Sequence, residues 1–172
     1  MTLPRVGITP GDPGGIGPEI VLKSLGRMSD LPEAEYVLFC SADFLKQEAK
    51  KLKLPFPLSA PEKARGSRNR CLTIKEIPFP PGSGRKGLPS GANGLASFRC
   101  FETAVREAGE GWLQALVTAP ISKASWALAG IRWKGHTDYL EKLYPGAIMA
   151  FWSEKLKVAL LSHHVSLRRA LK

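Results

Sequence analysis

The sequence predicts an α/β protein with a mostly parallel sheet covered by helices. Three observations carry that prediction. Short apolar runs alternate with amphipathic stretches along the chain, the pattern of βαβ units. A stiff Gly/Pro loop, "PGDPGGIGP" (Pro10 to Pro18), separates the first apolar run from the first helical pattern. Three polar loops, "TPGDPGG", "TAPISK" and "SHHVSL", each follow an apolar run, where ligands of parallel sheets sit.

"RVGIT" reads as a buried strand and "PEIVLKSLGRM" as the helix after it. Pro18 suits a first helical turn, and Glu19 suits the positive end of the helix dipole. "YVLFC" (Tyr36 to Cys40) is a second strand, and "ADFLKQEAKKL" (Ala42 to Leu52) an amphipathic helix. "CLTIKEI" (Cys71 to Ile77) alternates like a strand. A Pro/Gly connection follows, from Pro78 to Gly94. Asn93 is the expected cap of the long helix "GLASFRCFETAVREAGEG". "LQALVTA" is a strand, and "ISKASWALAG" a short helix ending at Gly130. "AIMAFW" and "KVALLS" read as two more strands, and "SLRRALK" as the first turns of a helix. There is no internal repeat.

The bulk properties exclude several classes. At 172 residues the chain can bury one good core. No apolar run approaches the roughly 18 residues of a membrane span, and the N-terminus has no signal-peptide pattern. A cytoplasmic protein is expected. Cys40, Cys71 and Cys100 are scattered and form no metal-ligand spacing, so they read as reduced thiols. The net charge of +10 sits largely in "KARGSRNR", "GSGRKG" and the C-terminal Arg168, Arg169 and Lys172. No aromatics interleave with these charges as on a base-stacking platform. Solvated loops are the expectation, and nucleic acid is not the expected partner.

Four stretches carry candidate chemistry. The glycine loop is neither a Walker loop nor the G-x-G-x-x-G dinucleotide fingerprint. Its glycines allow a ligand or another backbone to approach, with Asp12 and Glu19 as the nearby charges; a tight turn near no ligand reads equally well. In "TAPISK", Lys123 opposes the dipole of the helix it begins, a conflict an anion such as phosphate relieves. A solvent-facing lysine is the plainer alternative. In "KGHTDYLE", Thr137 is placed to cap a helix, and His136 suits a donor to an anion, a base or a metal ligand; a capped helix with a satisfied histidine is the alternative. In "LLSHHVSL", a continuing strand turns His163 and His164 to opposite faces. One imidazole alone is a poor metal site.

Taken together and in this order, "ITPGDPGGIGPEI", "PSGANGLASFRCFETAV", "ALVTAPISK", "AGIRWKGHTDYL" and "KVALLSHHVSLR" resemble the 4-hydroxythreonine-4-phosphate dehydrogenase family of pyridoxal phosphate biosynthesis. The glycine loop also looks like the "GDGIGPE" of isocitrate and isopropylmalate dehydrogenases. The resemblance implies their α/β/α fold, with helices on both faces of the sheet. It implies NAD-dependent oxidation of 4-phosphooxy-L-threonine, then decarboxylation to 3-amino-2-oxopropyl phosphate. It also implies a divalent metal (Zn, Mg or Co) and a homodimer. By the matching motifs, His136 and Thr137 carry over as substrate-binding residues and His164 as one metal ligand. Lys123 is a further candidate for electrostatic support. The residues contacting NAD are not assigned. His163 departs from the family, which usually has a hydroxyl residue there. Family members are longer, so residues 1–172 read as the N-terminal part of such an enzyme, incomplete at the C-terminus and with no internal boundary. The alternatives are a related dehydrogenase of a phosphorylated four-carbon sugar acid, or a non-catalytic remnant that binds ligand or partner.

Overall fold

A computed structural model describes residues 3–56, 70–161 and 166–171. The chain divides into two compact units, Met1–Arg132 and Trp133–Lys172.

In the first unit, β1 (Arg5–Thr9), β2 (Ala34–Cys40), β3 (Arg70–Glu76) and β4 (Ala115–Thr118) form one sheet in the order β3-β2-β1-β4. Every pair in it is parallel, with Gly7 opposite Val37 on one side and Leu116 on the other. β2 is almost continuously buried, as a central strand covered on both faces must be. On one face α1 (Gly17–Leu25) and α2 (Ala42–Leu52) pack Val21, Leu22, Leu25, Leu45 and Ala49 against Ile8, Tyr36 and Leu38. On the other, α3 (Gly91–Gly109) packs Cys100 and Ala104 against Val37 and Phe39. The mostly parallel sheet covered by helices is thus what the alternating pattern foretold, and helices on both faces are what the resemblance implied.

Local chemistry sets the helix ends. Pro18 and Glu19 lie in the first turn of α1, and Glu19 pairs with Lys23 at 2.6 Å. Glu19 is thus engaged along its own helix. Ser41 Oγ accepts from Phe44 N at 3.3 Å and caps α2. The cap of α3 is Ser90, whose Oγ accepts from Asn93 N at 3.1 Å; the expected Asn93 cap is corrected. Asn93 lies inside the first turn and is turned inward. It accepts from Gly84 N at 2.7 Å and donates to Arg85 O at 3.1 Å. Ser122 caps α4 (Lys123–Leu128), and Gly130 beyond it takes φ +73°, the left-handed conformation that suits a helix stop.

The second unit contains α5 (His136–Leu143), β5 (Ala150–Trp152), β6 (Lys157–Ala159) and α6 (Leu167–Ala170). The two further strands exist but are three residues each, and they pair antiparallel with each other in a separate sheet. The reason is the link between them. Ser153 N donates to Leu156 O at 2.9 Å, and Leu156 N donates to Ser153 Oγ at 3.0 Å. So short a connection closes a hairpin and leaves no room for the crossover that parallel strands need. Among the described residues, no helix is long and apolar enough to cross a membrane.

Candidate active-site loops

The loops that converge in the first unit are those at the carboxyl ends of β1 and β4. Asp12 N donates to Pro120 O at 3.0 Å, so the glycine loop is stitched to the "TAPISK" segment. Gly11 sits at φ +70°, and a Cβ there would strike the carbonyls of Ala119 and Pro120. A Cβ on Gly17 would strike Pro10 O, and one on Gly14 would strike Asn93 Nδ2 and Arg85 O. The backbone that approaches these glycines is the protein's own. Gly15 has ordinary clearance.

Asp12 is buried and bonded on both oxygens. Oδ1 accepts from Gly14 N at 2.6 Å, and Oδ2 accepts from Ser125 Oγ at 2.9 Å. The carboxylate thus closes the glycine turn and fastens it to α4. Of the two readings the sequence left open for this loop, Asp12 serves the tight turn. Ser125 Oγ also accepts from Ser90 N at 3.3 Å, which draws in the start of α3.

The Pro/Gly connection completes the clamp. Lys86 Nζ lies 2.8 Å from Glu48 Oε2, and Lys51 Nζ lies 2.7 Å from Glu48 Oε1. Lys86 also donates to Gly15 O at 3.3 Å and Pro13 O at 3.5 Å. Burial of Glu48 pushes its carboxyl pKa up, but the bonds from Lys51 and Lys86 outweigh that and hold it below its ordinary value. A cleft of about 350 Å³ lies among these loops, lined by Gly14, Gly15, Ile16, Leu88, Pro89 and Ile121 among others. Nothing in the local sequence marked the clamp, because Lys86 meets Glu48, and Ser125 meets Asp12, across long stretches of chain.

Lys123 is the first residue of α4 and is exposed. Among the described residues it makes no ion pair. His136 and Thr137 are the first two residues of α5, in the second unit. The N-cap of α5 is Gly135 and no side chain caps it, so the expected Thr137 cap is corrected. Asp138 Oδ2 instead reaches back to accept from Lys134 N at 3.0 Å. Burial lowers the pKa of His136 to about 4, so its imidazole is neutral at physiological pH. A neutral ring offers one N–H donor and one acceptor. His163 and His164 lie outside the described residues. Among the described residues, no three His, Cys, Asp or Glu gather into a possible cation site, so those residues alone do not fit a metal. Cys40 and Cys100 are buried and Cys71 is exposed. Burial raises the thiol pKa of all three, which suits inert thiols.

A parallel α/β sheet with helices on both faces, whose glycine loop is clamped at the carboxyl ends of β1 and β4, has the architecture of a large α/β enzyme class. Residues 32–172 match the family model described as pyridoxal phosphate biosynthetic protein PdxA. The chain belongs to that family. It is 34% identical to a D-threonate 4-phosphate dehydrogenase of Salmonella typhimurium, over 99% of this chain and 54% of that protein. It is 36% identical to a 4-hydroxythreonine-4-phosphate dehydrogenase of Campylobacter fetus, over 98% of this chain and 50% of the relative. The crystal structure of a 4-hydroxythreonine-4-phosphate dehydrogenase from Klebsiella pneumoniae superposes with TM-score 0.77 and 32% identity, over 97% of this chain and 52% of that one. The chain therefore spans about half the length of the relatives it matches.

Proposed function

We propose that the chain is part of an NAD-dependent dehydrogenase that oxidises the 3-hydroxyl of 4-phosphooxy-L-threonine in pyridoxal phosphate biosynthesis. The β-keto acid then loses CO₂ to give 3-amino-2-oxopropyl phosphate. The observation that carries this reading is similarity along nearly the whole chain to relatives named as that dehydrogenase. His136 and Thr137 are the proposed substrate-binding residues. The low pKa of His136 makes it a neutral hydrogen-bond partner rather than a counter-charge for phosphate. Lys123, exposed at the start of α4, is the proposed source of positive charge. When bound, NAD⁺ would accept the hydride, and a divalent cation (Zn, Mg or Co) would polarise the substrate oxygen. His164 is the proposed member of that cation's ligand set. A cytoplasmic homodimer is part of the same proposal.

A second substrate is favoured by a specific observation. A relative at 34% identity is named as acting on D-threonate 4-phosphate, a phosphorylated four-carbon sugar acid. The test offers the chain each phospho acid in turn with NAD⁺ and a divalent cation. NADH formation is followed by absorbance and binding by calorimetry. Turnover or tighter binding of 4-phosphooxy-L-threonine supports the first reading, and preference for D-threonate 4-phosphate moves the assignment to the second. A folded sample that turns over neither fits an incomplete site; the chain joined to the unmatched half of a relative, folded and still inactive on both, would overturn both readings and leave a non-catalytic role.

A further inference from the structure

The end of the Pro/Gly connection is held differently at its anchors and between them. On one side the Asn93 amide grips Gly84 N and Arg85 O. On the other, Ser90 N donates to Ser125 Oγ at 3.3 Å. Between these anchors, Lys86 to Pro89 make no backbone hydrogen bond among the described residues. Gly87 takes φ +86°, and a Cβ there would meet nothing within 4 Å. Leu88 is 70% exposed. Yet Gly87, Leu88 and Pro89 line the cleft of about 350 Å³ together with Gly14, Gly15 and Ile16. The glycine-loop side of that cleft is tied down by Asp12, through Gly14 N and Pro120 O. The 86–89 side has one tie among the described residues, the Lys86 side chain. Its ammonium reaches Glu48 of α2 at 2.8 Å and the carbonyls of Gly15 and Pro13. Glu48 is 1% exposed, so the anchor point is fixed in the fold.

We propose that residues 86–89 are a flap and that Lys86 is its latch. The latch fastens the flap to α2 and to the glycine loop, and its release lets Gly87 to Pro89 swing away and widen the cleft. The second partner of Glu48 makes the latch separable from the fold. Lys51 lies in the same helix as Glu48 and pairs with its other oxygen at 2.7 Å. Among the described residues Lys51 has no bond to the flap or the glycine loop. Removing either lysine leaves the buried carboxylate paired, which avoids the large cost of an uncompensated buried charge. A purely structural ion pair would respond alike to both losses, whereas a latch answers to Lys86 alone. The latch belongs to the first unit and does not depend on which reaction the protein performs.

Backbone ¹⁵N relaxation of the parent, Lys86→Met and Lys51→Met tests this. The order parameters of Gly87 and Leu88 should be about 0.85 in the parent and in Lys51→Met, and below about 0.6 in Lys86→Met. A neutral gadolinium chelate in the solvent should broaden the Gly14 and Ile121 amides, which belong to the cleft lining, more in Lys86→Met than in the other two. Far-UV circular dichroism should be the same for all three. Order parameters already below about 0.6 in the parent would overturn the latch without any variant. So would a flap that stays rigid in Lys86→Met, or one that loosens equally in Lys51→Met. A loosened flap with no added broadening at Gly14 and Ile121 would overturn the widening of the cleft. A Lys86→Met chain that fails to fold would make Lys86 part of the fold rather than a latch.

Discussion

Asp12 shows how one buried carboxylate can be read two ways. In the sequence it is a charge in a glycine loop and therefore a candidate for ligand chemistry. In the fold its two oxygens are taken by Gly14 N and Ser125 Oγ, the second partner 113 residues away. A contact of that separation is set by tertiary packing and leaves no local signal. Ser125→Ala removes a donor from a buried charge, and we expect a loss of about 1–3 kcal/mol in chemical denaturation. A change within a few tenths would mean that Asp12 finds another donor. His136 was singled out by its motif, but its protonation state was not legible, because it depends on burial. Its pKa is lowered from 6.5 to about 4. Below pH 6.5 the unfolded chain takes up a proton that the native ring refuses, so stability is present above that pH and falls as pH drops from 6.5 towards 4. The His136 resonances in NMR should titrate with a midpoint near 4, and His136→Gln should flatten this part of the stability profile. A midpoint near 6.5 would show an exposed ring and remove the case for a neutral donor.

At the scale of elements, periodicity served well where an element is long and its faces are distinct. The amphipathic helix expected at Ala42–Leu52 has those bounds in the structure. Helix caps were harder, because several polar residues compete near each start. Ser90 displaced Asn93 since the amide side chain is claimed by the Gly84 and Arg85 backbone. Glycines were the least legible. Their abundance announced close approach but not what approaches. At Gly94, in the first turn of α3, a Cβ would overlap Ser125 O and C of α4. Two helices touch there backbone to backbone, and no side chain can yield. At Gly15 a Cβ would meet only Asp12 O at 3.5 Å and Asp12 Cβ at 3.7 Å, ordinary contacts. Gly94→Ala should therefore cost about 3 kcal/mol or more, while Gly15→Ala should stay within about 1 kcal/mol of the parent. Thermal melts of the two variants side by side check the contrast. Equal losses would mean that α4 can shift away from α3.

For the whole molecule, the sequence carried the fold class because alternating strands and helices admit few arrangements. The division into two units falls in "GIRWKG", a Gly-flanked, charged stretch no longer than the chain's other short loops, so it does not stand out from them in the sequence. The two differ in what holds them. Both clusters of buried apolar residues, on either side of the four-stranded sheet, belong to the first unit. In the second, Tyr139 is the buried hydrophobic side chain among the described residues, while Ile148, Phe151, Trp152 and Leu156 are exposed. An isolated two-stranded hairpin is marginal in water, and β5 and β6 are exposed throughout. Amide exchange should therefore separate the units. The β2 amides, bonded between β1 and β3 and covered on both faces, should exchange only on global unfolding. Those of β5 and β6 should exchange through local opening, orders of magnitude faster. Equal protection across β2 and β5 would require a burial partner for the hairpin and a single cooperative molecule. The expected gap would place the folding free energy in the first unit, the one that holds the clamped glycine loop.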